Sequence, residues 1–185
     1  MEKITLKEFL KLKKEDVLGK VICFPTDTVY GVAAFIDDEA SKLKLYKMKN
    51  RSLDKPFAIL IYKFAQVKSK VLRISKKTKK IMKAYWPGAL TIILDTNTSP
   101  LGFRVPNSKV ALKILKKFGP LYATSVNESG EKEINDISLI TEKYSKDIDY
   151  LITDKTVFSS IASTVIKINN DKIEIIRQGG IIVNE

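Results

Sequence analysis

The sequence predicts an α/β fold of the α+β-like, mixed-sheet kind: one domain in which helices cover an open, twisted sheet. Three observations carry this expectation. Apolar, strand-like runs at residues 21–24 and 57–61 each have polar residues at one end, which is where α/β sheets commonly bind ligands. Strand-like and helix-like segments alternate through the first two thirds of the chain. Strand-like runs at 164–168 and 173–176 flank Asn169-Asn170-Asp171, a turn-forming triplet that suggests a terminal hairpin.

Residues 5–14 put Leu6, Phe9, Leu10 and Lys13 at i, i+3, i+4 and i+7, with Thr5 near the cap, a pattern that predicts an amphipathic helix. Gly19 releases the chain into the first strand. After Tyr30-Gly31 the segment 32–36 is apolar and β-compatible, and Asp37-Asp38 can cap a helix reaching about Met48. Helical pieces are expected near 64–71 and 75–85. Trp86-Pro87-Gly88 ends the second of these, and a strand follows at 89–94. A polar loop, 95–101, leads into Gly102-Phe103-Arg104-Val105-Pro106. Ser108 caps a helix over 109–118 that Gly119-Pro120 terminates. A short strand at 121–123, a helix at 137–145 capped by Asn135 or Asp136, and a strand at 150–153 complete the pattern.

The 185 residues suit a single domain with ample apolar content, 44%, for a core. No apolar run approaches the ~18 residues of a membrane span, and the start lacks the features of a secretion signal, so a cytoplasmic location is expected. The single cysteine, Cys23, lies inside an apolar strand, which excludes disulfides within the chain and cysteine-built zinc sites. Histidine is absent altogether. That excludes Ser-His-Asp and Cys-His catalysis and removes the usual general base near neutral pH. Chemistry here must rest on cations, hydroxyls, amides and backbone dipoles. The formal charge of +12 favours a polyanionic partner such as a nucleotide or RNA, although runs such as Lys76-Lys77 and Lys116-Lys117 also read as solvated helix faces.

Four clusters could carry function. Pro25-Thr26-Asp27-Thr28 places two hydroxyls and a carboxylate at a strand end, as a ligand site or as a structural turn. Lys49, Arg51 and Lys55 precede Pro56 and a strand; in a loop they could converge on phosphate oxygens, arginine by its planar fork and lysine as a point charge. Ser125 and Asn127 leave a strand two residues apart and so face one side, where they can serve an anion, a ribose or a turn. Ser163-Thr164 and Arg177 are weaker signals individually.

Taken in order, Pro25-Thr26-Asp27-Thr28-Val29-Tyr30-Gly31, Lys49-x-Arg51 with Lys55-Pro56, Trp86-Pro87-Gly88-Ala89-Leu90-Thr91, Arg104-Val105-Pro106, Ser125-x-Asn127-x-Ser129-Gly130, Ser163-Thr164-Val165 and Arg177-x-Gly179 resemble the YrdC-like family of threonylcarbamoyladenylate synthases over about residues 15–181. The resemblance implies a single YrdC-like domain over 1–185, without the additional C-terminal domain of longer members, with an open twisted sheet and a concave basic cavity. It implies an enzyme, a nucleotidyltransferase that condenses L-threonine, bicarbonate or CO2 and ATP into threonylcarbamoyl-adenylate and pyrophosphate. The product would pass to a partner transferase that modifies the adenosine beside the tRNA anticodon. The catalytic set maps onto Lys49, Arg51, Ser125 and Asn127; ATP contacts fall on Arg51, Lys55, Ser125 and Arg177; threonine contacts fall on Thr26, Tyr30, Arg104, Ala123 and Ser163, with Tyr30 lining the pocket. Mg2+ is expected to arrive with ATP, and no protein metal ligand is assigned.

The chain departs from the family pattern at Lys167, where an acid is usual, and at 131–135, where Glu131-Lys132-Glu133-Ile134-Asn135 replaces a serine-containing segment. Pro100 stands where a threonine is common, and no glycine precedes Ser163. Together with the net charge, these departures motivate an alternative: an RNA-binding YrdC-like module without synthase activity, with tRNA or another RNA as its partner. A sibling enzyme that handles carbamoyl-adenylate in hydrogenase maturation is a third reading, weakened by the absence of zinc-finger cysteines and of acylphosphatase-like regions.

Overall fold

The computed structural model describes residues 1–72, 74–169 and 172–184. Ten strands form one open mixed sheet in the order β1-β8-β2-β3-β7-β4-β6-β5-β9-β10. They are β1 (Glu2–Ile4), β2 (Ile22–Pro25), β3 (Tyr30–Phe35), β4 (Ala58–Leu60), β5 (Leu90–Leu94), β6 (Leu101–Arg104), β7 (Leu121–Ser125), β8 (Tyr150–Ile152), β9 (Thr164–Asn169) and β10 (Lys172–Arg177). The centre, β2-β3-β7-β4, is antiparallel. Parallel pairs flank it: β8 lies beside both β1 and β2 on one side, and on the other β4 joins β6 and β5 joins β9.

Side chains alternate across this sheet, as the two-residue strand period requires. Ile22 and Phe24 join one core cluster, roofed by Phe9 and by the buried face of helix α5 (Lys109–Phe118). Cys23, Val32 and Ala34 join a second cluster on the opposite side, against helices α3 (Glu39–Met48) and α6 (Ile137–Tyr144). Burial pushes the Cys23 thiol far above its ordinary range, the behaviour of a core residue and not of a nucleophile. A third cluster, around Ile92, Phe103 and Ile166, is covered by helix α4 (Lys76–Tyr85). Three helix starts are capped as expected, Asp38 accepting from Ala40 and Ser41, Ser108 from Ala111 and Asp136 from Leu139, and Ser75 caps α4 by accepting from Thr78. Among the described residues no helix is long and apolar enough to cross a membrane.

Two local expectations are corrected, and one strand was not foreseen. The helix over 5–14 is two single turns, α1 (Leu6–Phe9) and α2 (Lys14–Val17). Thr5 and Glu8 close a capping box on the first turn, and the Asp16 carboxylate accepts from Lys13 N at 2.7 Å, starting the second afresh. Residues 64–71 form two 3-10 turns, Phe64–Gln66 and Lys68–Lys70, in place of a helix. Strand β1 carries no local signal, and exists through its parallel register with β8. The terminal hairpin is observed as the antiparallel β9-β10 pair, although Asn170 and Asp171 of its turn lie outside the described residues.

Phe103 is fully buried at the middle of the third cluster, so Phe103→Ala should cost about 3–5 kcal/mol by loss of transfer energy plus the cavity left behind. Urea unfolding measures this; a loss below about 1 kcal/mol would show that this cluster does not hold the sheet together.

Candidate active site

A cavity of about 490 Å3 opens over the middle of the sheet. The turn between β2 and β3 supplies Thr26 and Thr28, the segment entering β4 supplies Arg51, Lys55 and Phe57, and β7 supplies Ala123 and Ser125. Thr91 of β5, Arg104 at the end of β6, and Ser163 with Arg177 from the two ends of the hairpin close the wall. Register brings these distant segments together. Gly31 pairs with Ser125, and Ala58 with Ala123, so β3, β7 and β4 present small residues under the cavity. At Gly102 an added Cβ would stand 3.0 Å from the Thr91 methyl, so glycine permits the close approach of β6 and β5.

The wall is strongly cationic. Arg51, Lys55, Arg104 and Arg177 face Asp54 as the only acidic side chain among the described lining residues. Arg104 is 6% exposed and almost fully engaged. Its Nη2 donates to Asp27 Oδ1 at 2.6 Å, Nη1 to Thr28 Oγ1 at 2.9 Å and Nε to the Gly88 carbonyl at 2.9 Å. Burial pulls its pKa down and the nearby Arg177 adds to this, while Asp27 opposes both. Thr26 closes its own turn: its hydroxyl donates to the Val29 carbonyl at 2.7 Å and accepts from Thr28 N at 3.1 Å. The turn reading of Pro25-Thr26-Asp27-Thr28 is observed, and that turn holds Thr26 and Thr28 on the cavity wall.

Arg51 is aimed by its own loop. Nε donates to the Lys55 carbonyl at 2.7 Å and Nη2 to the Pro56 carbonyl at 3.2 Å, and the guanidinium lies over the Phe57 ring at 5.1 Å. On the far side, Arg177 donates to the Ser163 carbonyl at 2.8 Å and to its hydroxyl at 3.2 Å. That hydroxyl also meets Thr91 Oγ1 at 2.9 Å. At Gly179 a Cβ would fall 2.3 Å from the Ala162 carbonyl oxygen, so only glycine lets the hairpin's exit pack against the segment that carries Ser163.

Lys49 and Asn127 lie outside the lining, one layer behind Ser125. Lys49, at the C-cap of α3 and 2% exposed, donates to the Ser125 carbonyl at 2.9 Å and to Asn127 Oδ1. Ser125 Oγ donates to the same Oδ1 at 2.7 Å, and Asn127 Nδ2 donates to the Glu131 carbonyl at 2.6 Å. Lys49 thus presets Ser125 from behind. Burial, with Arg51 nearby, lowers its pKa to about 8, while Glu133 and Glu131 oppose the shift.

Tyr30 is the correction among the site residues. It was expected to line the pocket, but its ring belongs to the core on the opposite face, 5.7 Å from Phe158 in an edge-on contact. Gly31 holds the cavity-side position, and alternation along β3 turns its neighbour away. Lys167 also falls outside the lining, opposite Glu174 in the β9-β10 register; Pro100 is in the wall. The sequence reading missed Phe57, the platform for Arg51, and Thr91, the partner of Ser163. Thr91 lies within the Trp86–Thr91 motif, but nothing local links it to Ser163, the residue just before β9.

A pKa held near 8 against an ordinary 10.5 means that folding disfavours the charged form of Lys49. Below pH 8 the desolvation cost is carried in full; from pH 8 to 10.5 the unfolded chain keeps a proton that the native state has shed. Stability therefore rises with pH across that window. Urea unfolding of wild type and Lys49→Met at both ends of the window should show wild type gaining on the variant as pH rises. A constant difference would contradict the buried, depressed lysine.

The Sua5_yciO_yrdC family model, described as telomere recombination, matches residues 17–179. A putative threonylcarbamoyl-AMP synthase from Methanocaldococcus jannaschii is 32% identical over 182 residues, spanning 94% of this chain and 86% of the relative. The threonylcarbamoyl-AMP synthase of Pyrococcus abyssi is 28% identical across 90% of this chain, which spans 52% of that relative's length. The crystal structure of P. abyssi Sua5 complexed with L-threonine superposes with a TM-score of 0.87 at 26% identity, over 97% of this chain and 58% of that one. The chain thus spans about half the length of the P. abyssi relative and most of the M. jannaschii one. With the family model covering nearly all of the cavity-forming elements, the chain belongs to the Sua5/YciO/YrdC family.

Proposed function

We propose that this protein is an L-threonylcarbamoyladenylate synthase, joining L-threonine, bicarbonate or CO2 and ATP with release of pyrophosphate, in support of threonylcarbamoyl modification of tRNA. The observation that carries this reading is a single cavity whose wall combines four cations with the hydroxyls of Thr26, Ser125 and Ser163. Its volume, about 490 Å3, is in the range of ligand sites, ~300–1,000 Å3. Support comes from the named synthases among its relatives and from the threonine complex of P. abyssi Sua5.

The chemistry suits a chain without histidine. Threonine's neutral amine and CO2 form a carbamate with loss of a proton; from bicarbonate the same carbamate forms with loss of water in place of the proton. A carbamate oxygen then attacks the α-phosphorus of ATP; that O–P bond forms, the bond to the α,β-bridging oxygen breaks, and pyrophosphate leaves. The nucleophile is already anionic, so it needs positioning and charge stabilisation more than a protein base. Arg104, with Ser163 and the Ala123 backbone, is assigned to threonine. Arg51, Lys55, Ser125 and Arg177 are assigned to the nucleotide, with Lys49 and Asn127 holding Ser125 in place. The divalent cation is assigned to the nucleotide, as part of the substrate.

Purified protein should release pyrophosphate from ATP only when threonine and bicarbonate are both present. Arg51→Ala should lower that rate by about 100-fold or more, through loss of a charged fork in the transition state, with the unfolding temperature little changed, because among the described residues the side-chain hydrogen bonds of Arg51 go only to carbonyls of its own loop and its stacking on Phe57 is a modest contribution. An unchanged rate removes Arg51 from the site. No threonine-dependent turnover, together with salt-sensitive RNA binding, would favour the RNA-module alternative.

A further inference from the structure

The backbone on either side of Ser163 is fixed from two directions: the Thr164 amide donates to the Ala89 carbonyl at 3.0 Å, and the Gly180 amide to the Ala162 carbonyl at 3.2 Å. These bonds leave the Ser163 hydroxyl hydrogen free to turn, and its direction decides whether the residue offers the cavity a donor or an acceptor. Two neighbours face that oxygen. Arg177 Nη2 donates to it at 3.2 Å, and Thr91 Oγ1 lies 2.9 Å away, where either hydroxyl could give its proton. Thr91 sets the direction. It is 4% exposed, and among the described residues Ser163 is the only hydrogen-bond partner of its hydroxyl. Its methyl stands 3.0 Å from where a Cβ on Gly102 would fall, so the glycine leaves room for the methyl while the hydroxyl is turned onto Ser163. Donating to Ser163 pairs the Thr91 proton, whereas accepting from Ser163 would leave a buried donor unpaired, which is costly. With Arg177 and Thr91 both donating, the two acceptor sites of the Ser163 oxygen are filled. The Ser163 proton is then left for the cavity, which all three residues line.

We propose that Thr91 is a positioning residue of the threonine subsite: its hydroxyl sets Ser163 as a hydrogen-bond donor to an anionic oxygen of the amino-acid substrate. A hydroxyl whose oxygen already accepts two bonds is polarised by them and is held in its donating orientation. Its bond to a charged acceptor is then of the strong kind. Because this assignment rests on the synthase reading, its test must separate the two.

Isothermal titration with L-threonine, and separately with ATP and magnesium, reads each substrate without turnover. Thr91→Val keeps the shape and removes the hydroxyl; it should weaken threonine binding about five- to tenfold, the effect of one hydrogen bond, and ATP binding by less than about twofold. Thr91→Ser keeps the donor and should stay within about twofold of wild type for both. In a Ser163→Ala background, Thr91→Val should have no further effect on threonine, because its action passes through the Ser163 hydroxyl. Should Thr91→Val fail to fold, Thr91→Ala carries the same expectation. If wild type binds threonine and Thr91→Val leaves that affinity unchanged, weakens ATP equally, or weakens threonine as much with Ser163→Ala as without it, the Thr91 assignment is overturned while the synthase reading stands. A wild-type protein that binds no threonine overturns both.

Discussion

The candidate site depends on a buried ammonium. Lys49 leaves the end of α3 and passes behind β7, where its charge is met by the Ser125 carbonyl and the Asn127 amide oxygen, with no carboxylate among the described residues in direct contact. Removing an amine from water costs several kcal/mol, and hydrogen bonds to a charged donor return about 1.5–3 kcal/mol each. The balance is reached only if the exit of β7 keeps one conformation. The consequences spread outward: Ser125 Oγ is held through the same amide oxygen, the Ser129 amide donates to the Lys49 carbonyl at 3.1 Å, and Asn127 fixes the segment that carries Glu133.

The opposite wall uses a different device. Arg104 is also buried, but it has an anionic partner, Asp27, at 2.6 Å, and its remaining bonds join the β2-β3 turn to Gly88 after Trp86-Pro87. Three segments distant in sequence are thereby locked at one cavity edge. Two buried cations are thus secured in contrasting ways, one by amide dipoles and one by a carboxylate. Half-buried Arg51 and exposed Arg177 lie on a loop and at a strand end, where they line the cavity and can meet an anion. Buried cations behind more accessible ones suit a reaction that must align two negatively charged reactants before a bond forms.

Much of this was legible in the sequence because it was encoded locally. Asp38, Ser108 and Asp136 announce their helices through side chains that bond nearby amides, and Gly119-Pro120 stops α5 where expected. The ordered polar motifs pointed to a common site, and the cavity gathers most of them. What was illegible depends on long-range register. Strand β1 requires β8, Thr91 meets Ser163 across a parallel pair, and Phe57 becomes a platform only once Arg51 folds back over it. Tyr30 was misassigned because its motif gives no account of which face of β3 it occupies. Lys49 was read as a loop cation converging on phosphate, whereas its burial behind Ser125 follows from the α3-β7 packing, which no sequence spacing encodes.

The central claim is that one cavity joins three substrates through a carbamate. The most direct test is mass spectrometry of the nucleotide product formed from carbon-labelled bicarbonate, labelled threonine and ATP. The account predicts one adenylate carrying both labels. ATP breakdown to AMP, or an adenylate that contains threonine without the bicarbonate carbon, would contradict it.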